Sequence, residues 1–142
     1  MTRDLVLRDV CYKPWSANAK GPAAFDCWHL ARYLHRELFA RELPDVEVPP
    51  DPSWEWMIES FDQHPERRNW AEVKSDSMGL TQAGDGAIVL MARSVRSAHC
   101  GVWLRPERLV IHADQAIGQV ICEDLATLRA RGWRRLRFYE PR

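Results

Sequence analysis

The sequence lacks the segments that mark a membrane-spanning or exported chain. No apolar run of about 18 residues occurs in its 142 residues, so no part is predicted to insert into a membrane. The residues that follow Met1 contain neither an apolar signal core nor a small-residue cleavage site. We therefore expect synthesis in the cytoplasm without a signal peptide.

A net charge is also missing. The chain carries 20 Lys and Arg against 20 Asp and Glu, so it has no overall bias toward nucleic acid or anionic lipid. We expect no nucleic-acid partner, and we interpret the arginine-rich segment 129–137 as a solvated strand with a buried aromatic face. Hydrophobic residues make up 46% of the chain, which predicts one globular domain over residues 1–142.

The cysteines form no dense framework and no C-x-x-C pair, so we expect reduced thiols. They stand at four separate positions, Cys11, Cys27, Cys100 and Cys122. Cys27-x-His29 and His99-Cys100 do not have the spacing of structural zinc motifs. The sequence therefore predicts no metal site, and the chemistry considered below needs no cofactor.

Helical signals dominate the first half of the chain. Residues 13–25 contain two prolines and a glycine and are predicted to form a loop, and the segment before them fits either a helix or a strand. Asp26 is a suitable N-cap for an amphipathic helix over 27–41. Four prolines in 43–53 prevent its continuation, and a second helix is predicted over 54–61.

Strand signals follow from Trp70 onward. Short apolar runs separated by turn residues predict strands over 87–91, 99–104, 109–112 and 119–122, then a short helix over 123–131 and a last strand over 133–139. Residues 105–108 form a good hairpin turn between the second and third of these strands. Helices followed by an antiparallel meander indicate an α+β domain.

Cys27 is the candidate nucleophile. It occupies the first turn of the predicted helix, where free N–H groups and the helix dipole lower the pKa of a thiol and favour the reactive thiolate. The alternative is that Cys27 is a small buried apolar residue, as most free cysteines are. The other three cysteines lack this placement and are interpreted as core residues.

Two histidines are candidates for the remaining chemistry. His99 opens one strand of the predicted hairpin and His112 closes the next, so the two can be cross-strand neighbours. One of them can then take the thiol proton while the other orients its ring. Asp114 could orient the ring instead, although a turn residue before Gly118 is its simpler reading, and an isolated histidine at a strand end is more often a surface residue.

Several of these segments together resemble the NlpC/P60 cysteine peptidases, especially the phage- and prophage-encoded, tail-associated members. The matching motifs occur in family order: Pro14-Trp15, Phe25-Asp26-Cys27-Trp28, Gly84-Asp85-Gly86-Ala87-Ile88-Val89, His99-Cys100-Gly101-Val102-Trp103-Leu104 and Val110-Ile111-His112-Ala113. The resemblance covers residues 12–113. It implies a papain-like α+β fold in which the nucleophile helix packs on an antiparallel sheet.

The resemblance also implies roles for individual residues. Cys27 would be the nucleophile, His99 the base and His112 the third, orienting residue. Trp15 aligns with an aromatic residue near the oxyanion and could act there only as a donor, beside the backbone N–H of Cys27. Asp26, Trp28 and His29 flank the nucleophile and are expected at the oxyanion or substrate-binding site. His29 replaces the usual glycine, and its ring could narrow the cleft or reduce activity.

By resemblance, the expected function is hydrolysis of peptidoglycan stem peptides through a thioester, near the bond from γ-D-glutamyl to the diamino acid. The substrate peptide is the expected partner, with phage tail proteins as a candidate second partner. Action at the cell wall or in the periplasm would follow delivery by a phage particle or lysis. Two alternatives remain open: a non-catalytic tail assembly or wall-binding component with the same fold, and an amidase or acyltransferase with another substrate.

Overall fold

The computed structural model describes residues 2–142, and helices precede most of the strands. The α-helices span Arg3–Val10 (α1), Cys27–Phe39 (α2), Trp54–Gln63 (α3) and Leu125–Ala130 (α4), and a 3-10 helix spans Pro65–Asn69. The strands span Trp70–Val73 (β1), Ile88–Ala92 (β2), His99–Leu104 (β3), Leu109–Asp114 (β4), Gln119–Glu123 (β5) and Arg135–Pro141 (β6). The α+β class expected from the sequence is confirmed.

The strands form one antiparallel sheet in the order β1-β6-β2-β3-β4-β5. The expected meander is present over β2 to β5. The last strand, β6, returns across the sheet and lies between β1 and β2, with Phe138 opposite Val89 and also opposite Val73. Helix α4 forms part of the connection from β5 to β6, and its buried Leu128 packs against the sheet.

Helix α2 begins at the expected residue for the expected reason. The Asp26 carboxylate accepts a hydrogen bond from the His29 N–H at 2.8 Å and so satisfies one free donor of the first turn. The helix ends at Phe39, two residues before the predicted end, because Ala40 adopts a left-handed conformation (φ 50°) and donates its N–H to the His35 carbonyl.

The two faces of the sheet bury different clusters, because successive residues of a strand point to opposite sides. One face packs against α1 and α2 and includes Leu90, Cys100, Val102, Ile111 and Ala113, with Cys27, Leu30 and Leu34 from α2. The other face packs against α4 and the segment before β6. It includes Val89, Met91, Trp103, Val110 and Phe138, with Leu128 and Trp133.

Most predicted elements are present with shifted ends. Strand β3 has the predicted bounds, α3 extends two residues beyond its predicted end, and the ambiguous N-terminal segment contains α1. The main correction concerns the predicted helix over 123–131. Asp124 is the N-cap of α4 and accepts a hydrogen bond from the Thr127 N–H, so Glu123 belongs to β5 instead.

Over residues 2–142, none of the helices combines the length and apolar character needed to traverse a bilayer.

The packing of α2 on the sheet predicts a large effect of truncating Leu34. This side chain is fully buried, so Leu34→Ala should lower the free energy of unfolding by about 2–5 kcal/mol through lost burial and a cavity. Leu5→Ala is the matched control, because Leu5 is 52% exposed on α1 and should change stability by less than about 0.5 kcal/mol. Urea denaturation measures the free energy of unfolding of both variants. Similar losses of stability in Leu34→Ala and Leu5→Ala would contradict the packing of α2 on the sheet.

Candidate active site

Cys27 is the first residue of α2, and its side chain is buried against the sheet. The first N–H groups of a helix have no acceptor within it, so the Cys27 backbone N–H is a donor available beside its own sulfur. The neighbouring Cys100 thiol is also buried, and burial together with the nearby Cys27 raises the pKa of Cys100. Cys100 is therefore a neutral core residue that packs beneath Cys27.

An open cavity lies against Cys27, and its wall is mostly aromatic and aliphatic. Trp15, Asp26 and Trp28 line it near the cysteine. Residues from the loop after α2, from α3 and from the sheet complete the wall: Val46, Val48, Pro52, Trp56, Met57, Phe61, Trp70, Ile88, Leu90 and Tyr139. The wall also contains polar residues, Ser60, His64, Glu66 and Arg67. The cavity thus offers an apolar surface next to a thiol.

The indole groups at the cavity differ in what they can donate. The Trp28 Nε1–H donates to the Pro44 carbonyl at 2.8 Å, so Trp28 offers its ring rather than its N–H to a ligand. Over residues 2–142, no hydrogen bond uses the side chain of Trp15, and its indole N–H remains available. Of the two tryptophans expected near the oxyanion, Trp15 is the one with a free donor.

Asp26 is occupied by structural contacts. Besides the His29 N–H, its carboxylate accepts the Asn18 N–H at 2.9 Å and meets the His29 ring Nδ1 at 2.9 and 3.0 Å. Asp26 is 2% exposed. Its contribution to the site is to fix the beginning of α2, and with it the position of Cys27.

His29 lies elsewhere than expected. Its ring is fully buried, with Nδ1 facing Asp26 and Nε2 facing the Asp45 carboxylate at 2.7 Å, and over residues 2–142 it is absent from the cavity wall. A ring that bonds carboxylates through both nitrogens must donate from both, so it is an imidazolium cation. His29 therefore leaves the cleft unobstructed and ties the loop that carries Asp45 to the start of α2.

The pKa shifts agree with this charge state. Burial alone lowers the pKa of His29, but the hydrogen bonds and charges of Asp26 and Asp45 outweigh burial and raise it above its ordinary value. The pKa of Asp45 is lowered to about 2, first by its hydrogen bond from Lys20 and then by the one from His29.

His99 and His112 are brought together across β3 and β4. Nε2 of His99 lies 2.9 Å from Nδ1 of His112, and the ring centroids are 5.0 Å apart. Gly101 leaves room for the neighbouring strand β4, because a Cβ there would lie 2.6 Å from the Val110 Cγ1 and 3.1 Å from the His112 Cβ. Trp133 stacks on the His99 ring at 5.1 Å.

Glu123 and Arg131 continue this chain of contacts, and neither was singled out from the sequence. The Glu123 Oε1 lies 2.8 Å from the His112 Nε2, and Arg131 donates to both carboxylate oxygens at 2.6 and 2.7 Å. The sequence pattern predicts that Glu123 belongs to a helix and therefore does not indicate this contact. A strand one residue longer would have placed it on the same face of the sheet as Ile121, the residue opposite His112.

Asp114 does not replace His112 or Glu123 in this arrangement. Its Oδ2 is 4.0 Å from the His112 Nδ1, and its carboxylate instead accepts hydrogen bonds from the Ile117 N–H and from Arg131. The simpler sequence interpretation, a turn residue, is not its position either: Asp114 is the last residue of β4 and pairs with Gln119, directly before the turn to β5.

Burial keeps both histidines neutral. It lowers the pKa of His99, and the adjacent His112 lowers it further. Burial also lowers the pKa of His112, against the opposing hydrogen bond to Glu123. For Glu123, burial raises the pKa, but Arg131 and His112 outweigh it and keep the carboxylate ionised.

The structure does not join Cys27 to the histidine pair directly. Over residues 2–142, no hydrogen bond links the Cys27 sulfur to His99 or His112, and neither histidine lines the cavity. Cys27 packs near Cys100 on one face of the sheet, whereas His99, the preceding residue, turns its ring to Trp133 on the other. Nucleophile and histidines thus lie on opposite faces of the sheet, near the start of β3.

His112, Asp114 and Glu123 also place one possible metal ligand each within 4.8 Å of one another. The atoms that could bind a metal already take part in hydrogen bonds. Arg131 donates to both carboxylates, and both ring nitrogens of His112 have hydrogen-bond partners. A cation would compete with the Arg131 guanidinium for the same oxygens. The arrangement fits a hydrogen-bonded chain better than a metal centre.

Comparison with solved structures identifies the fold. The chain aligns with the crystal structure of the NlpC/p60 domain of the peptidoglycan hydrolase SagA over 100% of both chains, with a TM-score of 0.57 and 15% sequence identity. No protein-family model and no curated protein matches the sequence. The NlpC/P60 fold expected from the motifs is therefore confirmed at the level of structure.

The buried His29 cation predicts an unusual pH dependence of stability. At pH 6, His29→Gln should lower the free energy of unfolding by about 1.5–3 kcal/mol, because charged hydrogen bonds to Asp26 and Asp45 are lost. The unfolded chain releases its proton near pH 6.5, below the raised pKa of folded His29. The difference between the two proteins should therefore shrink as the pH rises through that folded pKa.

Urea denaturation of the wild-type protein and His29→Gln between pH 6 and pH 9 measures the difference in their free energies of unfolding. His64→Gln is the matched control, because over residues 2–142 His64 has no carboxylate partner and accepts only the Glu66 N–H. Its effect should not shrink in the same way. A His29→Gln difference that stays constant across the range would contradict a charged His29.

Proposed function

We propose that this protein is a thiol hydrolase of cell-wall peptides, with Cys27 as nucleophile, His99 as general base and His112 as orienting residue. The observation that carries the proposal is the 2.9 Å contact between His99 and His112, because it occupies Nε2 of His99 and leaves Nδ1 to accept a proton. The NlpC/P60 fold, shared with a domain of a peptidoglycan hydrolase, supports the substrate class.

The first half of the reaction forms a thioester. His99 Nδ1 takes the proton of the Cys27 thiol, and the thiolate attacks the carbonyl carbon of the amide to give a tetrahedral oxyanion. The Cys27 backbone N–H and the Trp15 indole N–H are the proposed donors to this oxyanion. The C–N bond then breaks, and His99 returns its proton to the leaving amine.

Water completes the cycle. His99 accepts a proton from the attacking water, the second tetrahedral species collapses, and the products are a carboxylic acid and the free Cys27 thiol. The proposal requires the Cys27 sulfur to move toward His99 from its position near Cys100. A change of the Cys27 χ1 rotamer is the proposed motion, since catalytic contacts often tighten only when substrate is bound.

The proposal also covers the bond that is cleaved and the route by which the protein reaches its substrate. Cleavage at the γ-D-glutamyl–diamino acid bond of a stem peptide, and delivery by a phage tail or by lysis, follow from the motif resemblance. The charged residues of the cavity wall, Glu66 and Arg67, are suited to an ionic peptide. We propose that they bind the polar ends of the substrate while the tryptophans pack against its apolar parts.

The direct test is digestion of purified peptidoglycan fragments followed by mass spectrometry. Cys27→Ala should abolish cleavage, and His99→Gln should reduce it by about 10²–10⁴-fold, the usual contribution of a general base. Cys11→Ala is the control, because Cys11 lies 3.7 Å from Cys122 and outside the cavity wall.

Other results would change the assignment. Loss of cleavage in His64→Gln but not in His99→Gln would move the base to the cavity histidine. A folded wild-type protein that cleaves no fragment and whose Cys27 resists alkylation would favour the non-catalytic tail or wall-binding component.

The apolar wall beside Cys27 favours a second candidate function. Trp15, Trp28, Trp56 and Met57 would suit the apolar acyl group of an ester or thioester better than a charged peptide. An acyltransferase or amidase with such a substrate would use the same thiol chemistry. Rapid release of nitrophenol from long-chain nitrophenyl esters, without cleavage of wall fragments, would support this candidate.

A further inference from the structure

A continuous row of hydrogen bonds runs from Arg131 through Glu123 and His112 to His99. The contacts are 2.6 Å from Arg131 to Glu123 Oε1, 2.8 Å from Glu123 Oε1 to His112 Nε2, and 2.9 Å from His112 Nδ1 to His99 Nε2. The proposed mechanism uses only the histidine end of this row. Glu123 and Arg131 have no part in it.

The chemistry of the groups fixes every proton along the row. Glu123 is an ionised carboxylate and can only accept, so the nitrogen that faces it, His112 Nε2, must carry a hydrogen. A neutral His112 then has a lone pair on Nδ1, which must accept from His99 Nε2–H. A neutral His99 is left with its lone pair on Nδ1.

We propose that Glu123, held by Arg131, is a positioning residue that sets the tautomers of His112 and His99 and thereby leaves His99 Nδ1 as the proton acceptor. This inference rests on the proposed function for its catalytic consequence. The tautomers themselves follow from the contacts alone.

The surroundings keep the row intact. The His112 side chain is fully buried and the Glu123 side chain is 9% exposed, so water competes weakly for these bonds. Arg131 is anchored a second time by Asp114 at 2.9 Å, and its carbonyl accepts a hydrogen bond from Arg93. The charged groups that face the pair are therefore Glu123, Asp114, Arg131 and Arg93, and only Glu123 bonds a histidine nitrogen.

Glu123→Ala is the informative substitution, because it removes the acceptor that faces His112. Arg131 can only donate and bonds both Glu123 oxygens in the wild-type protein, so without them it is left to donate to His112 Nε2. His112 must then carry its hydrogen on Nδ1 and donate to His99 Nε2. His99 consequently carries its hydrogen on Nδ1, the nitrogen that should accept the thiol proton.

Imidazole ¹⁵N shifts distinguish the two tautomers without any substrate. Both histidines should be Nε2–H in the wild-type protein and Nδ1–H in Glu123→Ala. The turnover rate on wall fragments should fall by about 10–100-fold in the variant, as expected when the base nitrogen is blocked. Glu72→Ala is the matched control, because Glu72 pairs with Arg137 across β1 and β6 at 2.8 and 3.2 Å, away from both histidines.

Three results would overturn the inference. One is a wild-type His112 that carries its hydrogen on Nδ1, which can be observed even if Glu123→Ala does not fold. The others are unchanged tautomers in a folded Glu123→Ala, and changed tautomers with an unchanged turnover rate. If the tautomers switch as expected but the wild-type protein cleaves no fragment, the positioning by Glu123 stands and the proposed function fails.

Discussion

One buried carboxylate, that of Asp26, determines where the proposed nucleophile sits. Asp26 caps α2, accepts the Asn18 N–H from the preceding loop and bonds the His29 ring. A buried carboxylate is costly unless its oxygens are fully hydrogen-bonded, and here each contact also fixes a piece of chain. The beginning of α2, the loop before it and the loop with Asp45 are therefore positioned together, and Cys27 follows Asp26 directly in the chain.

Alternation along β3 sets the second constraint. His99 and Cys100 are consecutive, so their side chains leave opposite faces of the sheet. Cys100 packs against the proposed nucleophile, Cys27. His99 takes part in the row of hydrogen bonds that ends at Arg131. A single strand thus contributes to two separately packed layers, and the proposed chemistry requires Cys27, on one side, to reach His99, on the other.

The sequence predicted the parts of the site that depend on local patterns. The N-cap at Asp26, the helix after it and the hairpin that pairs His99 with His112 all follow from short-range spacing, and the structure contains each of them. Glu123, Arg131 and the buried position of His29 could not be predicted in this way. Each depends on which distant carboxylate or guanidinium meets the side chain, and tertiary packing decides that.

The position of β6 has a consequence for how the sheet can assemble. β1 and β2 are neighbours along the chain but are separated in the sheet by β6, the last strand, which pairs with both of them. Pairing of Trp70 with Pro141 closes a long loop, and such non-local contacts slow folding. The hairpin with His99 and His112 can form early from nearby residues, whereas β1 has no place in the sheet until residues 135–141 have been synthesised.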